Sequence, residues 1–179
     1  MILTTTFTAE HIHRTALSIG KGTDPKILEK ALQAFYLLEQ LQNHGLQLTF
    51  KGGTSLLLML DPPRRFSIDI DIITDQGDRI EPILDRIIAE SHFLSWEPDN
   101  NRKHRSDAPI VHYKVFYRSA ISQHFGPEPI LLDVLLTPNP YPLLQQREIK
   151  HPWLLMGANP LSVSVPTIES IIGDKLTAF

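Results

Sequence analysis

Two aspartates stand at alternate positions inside the otherwise apolar run 68–73, which reads IDIDII. Such alternation is typical of a β-strand, because side chains two residues apart project from the same face. Asp69 and Asp71 are therefore expected to point one way while the isoleucines pack on the other side. Two carboxylates held this close repel each other unless a cation joins them, and oxygen ligands suit a hard ion such as Mg²⁺. A solvated strand face explains the pair equally well when the run is considered alone.

A glycine-rich break upstream adds a second element to this pattern. Lys51, Gly52, Gly53, Thr54 and Ser55 lie between a predicted strand and a predicted helix start. Glycines let the backbone approach a ligand closely, and N–H groups at the start of a helix face an anion. The hydroxyl of Thr54 or Ser55 can add a contact to a terminal phosphate. The alternative is a plain tight turn with Thr54 as its N-cap. Together with the aspartates downstream, the break predicts a metal–nucleotide site.

A third carboxylate interrupts the most apolar run of the chain. Asp133 is the one polar residue in 130–136, which reads ILLDVLL and predicts a central strand. An unpaired carboxylate there costs several kcal/mol or becomes neutral. We therefore expect Asp133 to lie next to the strand that carries Asp69 and Asp71 and to complete a three-carboxylate cluster. A buried salt bridge or a position at the end of the strand is the alternative.

Three further residues are candidates for contacts with the nucleotide. Lys175 falls on or beside the apolar stripe of the last predicted helix, where it needs an anion. A phosphate, a carboxylate such as Asp133, or snorkelling to the surface would each satisfy it. Arg65 can flank phosphates, although solvated loop charge is its alternative. Ser67 can orient the loop or contact the nucleotide.

The composition limits the class of protein. The 179 residues are 42% hydrophobic and 21% charged, which favours one packed domain, and the net charge of −3 argues against nucleic-acid binding by the whole surface. The absence of cysteine excludes disulfides, thiolate ligands and cysteine nucleophiles. The eight histidines show no zinc spacing, and neither a serine-hydrolase elbow nor a P-loop motif occurs. With no signal peptide and no apolar run near ~18 residues, we expect a soluble cytoplasmic protein without a membrane partner.

The periodicity of apolar residues predicts an alternation of helices and strands. Asp24 and Pro25 are good starting residues for an amphipathic helix that ends at Gly45. The remaining predictions are strands over 46–50, 66–73, 111–117 and 130–136, helices over 55–60 and 78–91, an exposed loop over 98–109, an irregular proline-rich connector over 137–159, and a last helix from 166 onwards that is still running at the final residue.

The joined motifs resemble the AbiEii/AbiGii-type nucleotidyltransferase toxin family, part of the DNA polymerase β-like superfamily. The family pattern is Gly-Gly-Ser/Thr, a spacer of about ten to fifteen residues, and Asp-x-Asp, and it is matched by FKGGTSL at 50–56 and RFSIDID at 65–71. Asp133 resembles the third carboxylate of the family, and GDKLTA at 173–178 resembles its lysine-bearing helix. The resemblance covers roughly 27–179. Two departures are Ile68, where many relatives carry an acidic residue, and the end of the chain within the lysine helix, where relatives continue into a helical region.

The resemblance implies an α/β (α+β) polymerase-β-like fold, a mixed sheet flanked by helices. It implies one nucleotidyltransferase domain over 1–179, with N-terminal helices over 8–45, a catalytic core over 46–179, and a C-terminal helical region that is absent or truncated. The implied activity is metal-dependent transfer of NMP from an NTP to RNA, such as tRNA, or to protein. Asp69, Asp71 and Asp133 would bind two Mg²⁺ ions, or Mn²⁺, while Lys175 would be catalytic and the remaining candidates would bind the triphosphate. A toxin of this kind has a protein antitoxin as an expected partner.

Two other classes of protein remain as alternatives. The first is a non-catalytic domain that senses nucleotides or binds an antitoxin and retains a residual nucleotidyltransferase site. The second is a metal-dependent glycosyltransferase, which also uses Asp-x-Asp but does not need the glycine turn or a third carboxylate. A haloacid-dehalogenase pattern fits less well, because its nucleophile strand normally opens the domain.

Overall fold

The computed structural model describes residues 1–60, 66–100, 109–122 and 124–177, without the side chains of Lys175 and Thr177. The helices in these ranges are α1 (Ala9–Ile19), α2 (Pro25–Asn43), α3 (Gly52–Ser55), α4 (Gly77–Glu90) and α5 (Ile168–Thr177). The strands are β1 (Thr49–Lys51), β2 (Ile70–Thr74), β3 (Ser95–Pro98), β4 (Ile110–Arg118), β5 (Pro127–Leu136), β6 (Leu144–Glu148) and β7 (Ser162–Pro166). Short 3₁₀ turns occupy Thr4–Phe7 and Leu56–Leu58.

Helix α2 is held at both ends by the residues that predicted it. The side chain of Asp24 accepts a hydrogen bond from the backbone N–H of Lys26 at 2.8 Å, and Pro25 occupies the first turn. Beyond the last turn, Gly45 adopts a φ of +78°, a left-handed conformation that glycine takes without strain. The helix predicted over 24–45 is therefore confirmed. Buried side chains cover nearly its whole circumference from Leu28 to Leu41, so α2 is the central helix of the core.

The strands of the described ranges form one seven-stranded mixed sheet in the order β3-β4-β5-β2-β1-β7-β6. Strand β2 pairs parallel with β5, and β1 pairs parallel with β7, while the remaining neighbours are antiparallel. The two aspartate-bearing strands, β2 and β5, thus lie side by side in the interior of the sheet. The expected α/β architecture, a mixed sheet flanked by helices, is confirmed.

The two faces of the sheet differ in chemistry. One face is apolar and belongs to the core, with Ile70 and Ile72 of β2 beside Leu132 and Val134 of β5, all fully buried. Side chains that alternate with them are polar at several positions and only partly buried, and they project from the opposite face. This second face, called the aspartate face below, carries Lys51, Asp71, His112, Lys114 and Asp133.

Several elements differ from the sequence prediction. The helix predicted over 55–60 is wrong: a one-turn helix, α3, occupies Gly52–Ser55 and a 3₁₀ turn follows over Leu56–Leu58. The strand predicted over 66–73 begins only at Ile70. Strands β3, β6 and β7 were not predicted. Every residue of β6 is exposed and its sequence LQQRE has no apolar alternation, because an edge strand packs few side chains and leaves no such signal. The predicted loop over 98–109 lies mostly outside the described residues.

None of the helices in the described ranges has the length and apolar character needed to cross a bilayer. The last helix was predicted from 166 onwards; α5 begins at Ile168, because Pro166 is still the last residue of β7. Its residue Ile171 is buried, whereas Ile172 and Leu176 are exposed.

Candidate functional site

The glycine turn lies against the carboxylate of Asp71. Gly52 adopts a φ of +74°, and a Cβ built on it would lie 2.7 Å from Cγ of Asp71 and would overlap its Oδ2. A Cβ on Gly53 would lie 2.8 Å from Oγ of Ser67. Each glycine therefore makes room for one predicted site residue. The turn and the Asp-x-Asp segment are in direct contact, although they are separated in sequence.

The hydroxyls of the turn are engaged within the protein. Thr54 donates from Oγ1 to the backbone carbonyl of Asp69 at 2.5 Å, and Ser55 donates from Oγ to the carbonyl of Gly52 at 2.8 Å. Both side chains are fully buried. These bonds brace the turn and hold the backbone of Asp69 beside it. A phosphate contact of either hydroxyl stays a prediction.

Asp71 and Asp133 occupy the same register of adjacent parallel strands. Their Cα atoms are direct partners in the β2–β5 ladder, so both side chains project from the aspartate face. Neighbouring strands are roughly 4.8 Å apart, a separation that brings two carboxylates within reach of one cation. Asp133 was expected next to the Asp69–Asp71 strand, and the structure places it there.

Asp69 stands immediately before β2. In the described ranges, no three histidine, aspartate or glutamate side chains are already arranged to hold a metal ion. The structure therefore brings two of the three predicted carboxylates together by register, and convergence of the Asp69 carboxylate with them stays a prediction. The donor set nevertheless fits Mg²⁺: it consists of carboxylates, lies on a partly exposed face and includes no sulfur.

A histidine missed by the sequence analysis contacts the third aspartate. Nδ1 of His112 lies 2.7 Å from Oδ1 of Asp133, across the antiparallel pairing of β4 with β5. The sequence carried a weak signal of this contact, since His112 and Lys114 fall on the polar side of an alternating strand. Only the strand register reveals that His112 faces Asp133.

A second missed pair joins α5 to the site. The hydroxyl of Tyr141, in the segment after β5, donates to Oδ2 of Asp174 on α5. Burial raises the pKa of Tyr141 above its usual range, and the hydrogen bond and charge of Asp174 and the charge of Asp71 raise this pKa further. Tyr141 therefore links Asp174 of α5 to the segment that follows β5, and it feels the charge of Asp71. No sequence motif indicated this contact.

Of the basic candidates, only Lys51 has a side chain in the described part of the protein. Lys51 is the direct antiparallel partner of Asp71, so its side chain leaves the same face of the sheet. Lys175 belongs to α5, one residue after Asp174, but its side chain lies outside the described part of the protein, as does all of Arg65. Lys114 forms an ion pair with Glu97 of β3 at 3.5 Å and another with Asp99, the residue after β3, at 3.1 Å.

A sizeable cleft lies elsewhere on the protein. It encloses about 710 Å³ between the 3₁₀ turn at Leu57 and Leu58 and the segment from Gln146 to Met156. Its lining combines leucine and methionine side chains with Arg147 and Lys150 and contains none of the three candidate aspartates. The aspartate face is a better candidate for the site than this cleft, because two of the three predicted metal ligands, Asp71 and Asp133, and the glycine turn lie together there.

Comparisons with known proteins identify the family of the chain. The sequence pattern of the family described as "Nucleotidyl transferase AbiEii toxin, Type IV TA system" matches residues 36–179. No curated protein is similar enough in sequence to count as a match.

Two solved structures from Helicobacter pylori resemble the chain. The protein JHP933 is 20% identical with a TM-score of 0.54, and the similarity covers 84% of this chain and 58% of JHP933. A candidate nucleotidyltransferase is 17% identical with a TM-score of 0.49, over 90% of this chain and 58% of its own. The chain thus spans 58% of the length of each. Likeness to JHP933 supports the fold, and the family pattern extends over most of the sequence: the chain belongs to the AbiEii nucleotidyl transferase toxin family of type IV toxin–antitoxin systems.

Proposed function

We propose that this protein is a metal-dependent nucleotidyltransferase toxin that transfers NMP from an NTP to an acceptor hydroxyl on RNA, such as tRNA, or on protein. The observation that carries the proposal is the pairing of Asp71 with Asp133 in one register of adjacent parallel strands, with Gly52 directly against the Asp71 carboxylate. Family membership supports the same reaction class. The proposed reaction belongs to the NMP-transferring enzymes of class EC 2.7.7.

We assign the metal to the carboxylates of the aspartate face. Asp71 and Asp133 would hold it, with Asp69 as the third ligand, and the oxygen-only set suits two Mg²⁺ ions or Mn²⁺ in their place. Bound Mg²⁺ would neutralise charge on the triphosphate and on the attacking and leaving oxygens. The partly buried position of both paired aspartates limits competition from water and strengthens their attraction for a cation.

The glycine turn and the basic side chains are assigned to the triphosphate. Gly52 and Gly53 leave the surface around Asp71 and Ser67 without a Cβ, so a phosphate can approach the backbone closely. Lys51, on the same face as Asp71, supplies a cationic group beside it. Further contacts of Arg65, Ser67 and Lys175 with the nucleotide follow from the family resemblance and belong to this proposal.

The proposed transfer step forms one bond and breaks one bond at the α-phosphorus of the NTP. The acceptor hydroxyl oxygen forms a bond to the α-phosphorus of the NTP, and the bond from that phosphorus to the bridging oxygen breaks, releasing pyrophosphate. The hydroxyl proton passes to a carboxylate, for which Asp133 is our candidate. The acceptor and NTP would be those of the cytoplasm, and a protein antitoxin encoded by the same type of system would oppose the activity.

A labelling experiment tests this function. The wild-type protein is incubated with each α-labelled NTP, Mg²⁺ and total RNA or cell extract, and label is followed on RNA and on protein. We expect incorporation with at least one NTP and a loss of roughly 100-fold or more in Asp71→Asn and Asp133→Asn, because a metal contact is worth several kcal/mol in the transition state.

The matched control is Asp75→Asn. Asp75 is exposed just after the end of β2, roughly 13 Å along the strand from Asp71, so the same chemical change there should leave labelling intact. Binding of an NTP without any labelled acceptor would contradict the transferase and favour a non-catalytic nucleotide sensor.

A further inference from the structure

The contact between His112 and Asp133 has the geometry of a specific hydrogen bond. The Nδ1–Oδ1 distance is 2.7 Å, and the side chains are 8% and 23% exposed. An ionised carboxylate has only acceptor sites, so the hydrogen must be on Nδ1 of His112, whichever charge the ring carries. A short bond from a ring N–H to a carboxylate is typical of charge-assisted pairs. His112 therefore binds one defined oxygen of Asp133.

From this geometry we infer that His112 is a positioning residue that holds the Asp133 carboxylate in one orientation for the metal; the inference rests on the proposed function of Asp133 as a ligand. With Oδ1 bound to His112, rotation of the carboxylate about its Cβ–Cγ bond would break the hydrogen bond. The carboxylate is thus kept ready before a cation arrives. Hydrogen-bonded partners of metal ligands commonly serve this purpose.

The bond contributes little to joining the two strands. β4 and β5 are already paired over nine residues, from Ile110 opposite Leu135 to Arg118 opposite Pro127. A side-chain bond at one of these positions adds a small increment to a ladder of this length. The placement of an imidazole against this carboxylate is better explained by its effect on the orientation of the Asp133 carboxylate.

The test compares three substitutions by Mn²⁺ binding to the full chain in the absence of nucleotide, measured by calorimetry or by the Mn²⁺ EPR signal. Asn at position 112 places an amide N–H close to the position of Nδ1, whereas Gln carries the same amide one carbon further out. Leu removes the donor. We expect His112→Asn to keep the wild-type affinity and His112→Gln and His112→Leu to lose about 10- to 100-fold.

Each result has one interpretation. Wild-type affinity in His112→Gln and His112→Leu, while Asp133→Asn loses binding, would overturn the role of His112 and leave the proposed function standing. Absence of Mn²⁺ binding by the wild-type protein would overturn the proposed function and the inference with it. Equal losses in the Asn, Gln and Leu variants, with unchanged melting temperatures, would show that the imidazole acts by something other than its Nδ1 hydrogen bond, and would also overturn the inference.

Discussion

The carboxylate of Asp71 on β2 lies directly against the α-carbon of Gly52, the residue that follows the neighbouring strand β1. Gly52 combines a positive φ with a contact that excludes a Cβ. The glycine is therefore required by the position of a single functional side chain as well as by its own backbone conformation.

Substitution of Gly52 separates these two requirements. Gly52→Ala should lose about 1 kcal/mol to backbone strain and, in addition, displace the Asp71 carboxylate and abolish Mn²⁺-supported transfer. Gly126→Ala is the matched control, because Gly126 has a similar φ of +81° with nothing within 4 Å of the added Cβ. Urea unfolding and Mn²⁺ binding measure the difference. If Gly52→Ala and Gly126→Ala lose the same free energy of unfolding and both still bind Mn²⁺, the Asp71 carboxylate can move away from the new Cβ at little cost in stability.

Removal of divalent cations should abolish transfer reversibly. The aspartate face holds Asp71 and Asp133 in matching register, and two such carboxylates repel without a cation between them. EDTA should eliminate label transfer, and excess Mg²⁺ or Mn²⁺ should restore it. The metal should also raise the melting temperature of the wild-type protein but not of Asp71→Ala. Transfer that persists in EDTA would rule out the proposed metal dependence.

The link between Tyr141 and Asp174 should affect nucleotide binding as well as stability. Tyr141→Phe removes the hydrogen bond that ties α5 to the segment after β5. A bond to a charged group is worth about 1.5–3 kcal/mol at most, so the KM for NTP should rise about tenfold because α5 loses its position near Asp71. Steady-state kinetics and thermal melting distinguish the effects. An unchanged KM would mean that α5 is held in place by other contacts.

The stability of the fold should fall in mild acid because of His92. This ring stacks on Tyr36 with centroids 4.5 Å apart and contacts Oε1 of Gln33 at 2.7 Å, and burial lowers the pKa of His92 from 6.5 to about 4. The folded protein keeps the imidazole neutral while the unfolded chain gains a proton below about pH 6.5, so the free energy of unfolding decreases as pH falls from there towards 4. The expected loss between pH 6.5 and 5 is about 1.5 kcal/mol.

The measurement is urea unfolding at both pH values for the wild type, His92→Phe and the exposed-site control His13→Gln. The Phe variant should lose the His92 part of the pH dependence, whereas the control should keep it. If the free energy of unfolding of His92→Phe depends on pH as strongly as that of the wild type, the effect arises from other groups.

Local sequence signals were sufficient for much of the fold. The cap at Asp24, the apolar spacing of α2 and the run around Asp133 correctly indicated a central helix and a buried strand. Prediction was poorest for β6 and β3, which are short and mostly exposed edge strands. Their stability comes from pairing with β7 and β4 rather than from an apolar face, and such pairing leaves no periodic pattern in the sequence.

The sequence by itself determined which residues are available: the glycine turn, the Asp69–Asp71 repeat and an aspartate in the apolar run 130–136, together with the family to which they belong. Tertiary structure decided how they meet. The parallel register of β2 with β5 set Asp71 beside Asp133, the antiparallel register of β4 brought His112 to the same carboxylate, and a contact with Tyr141 held Asp174 of α5 close by. The apolar pattern of β5 predicted that Asp133 lies beside the Asp69–Asp71 strand, but the residue-by-residue pairing depends on backbone hydrogen bonds between distant segments, so the contacts of His112 and Tyr141 could not be predicted from the local sequence.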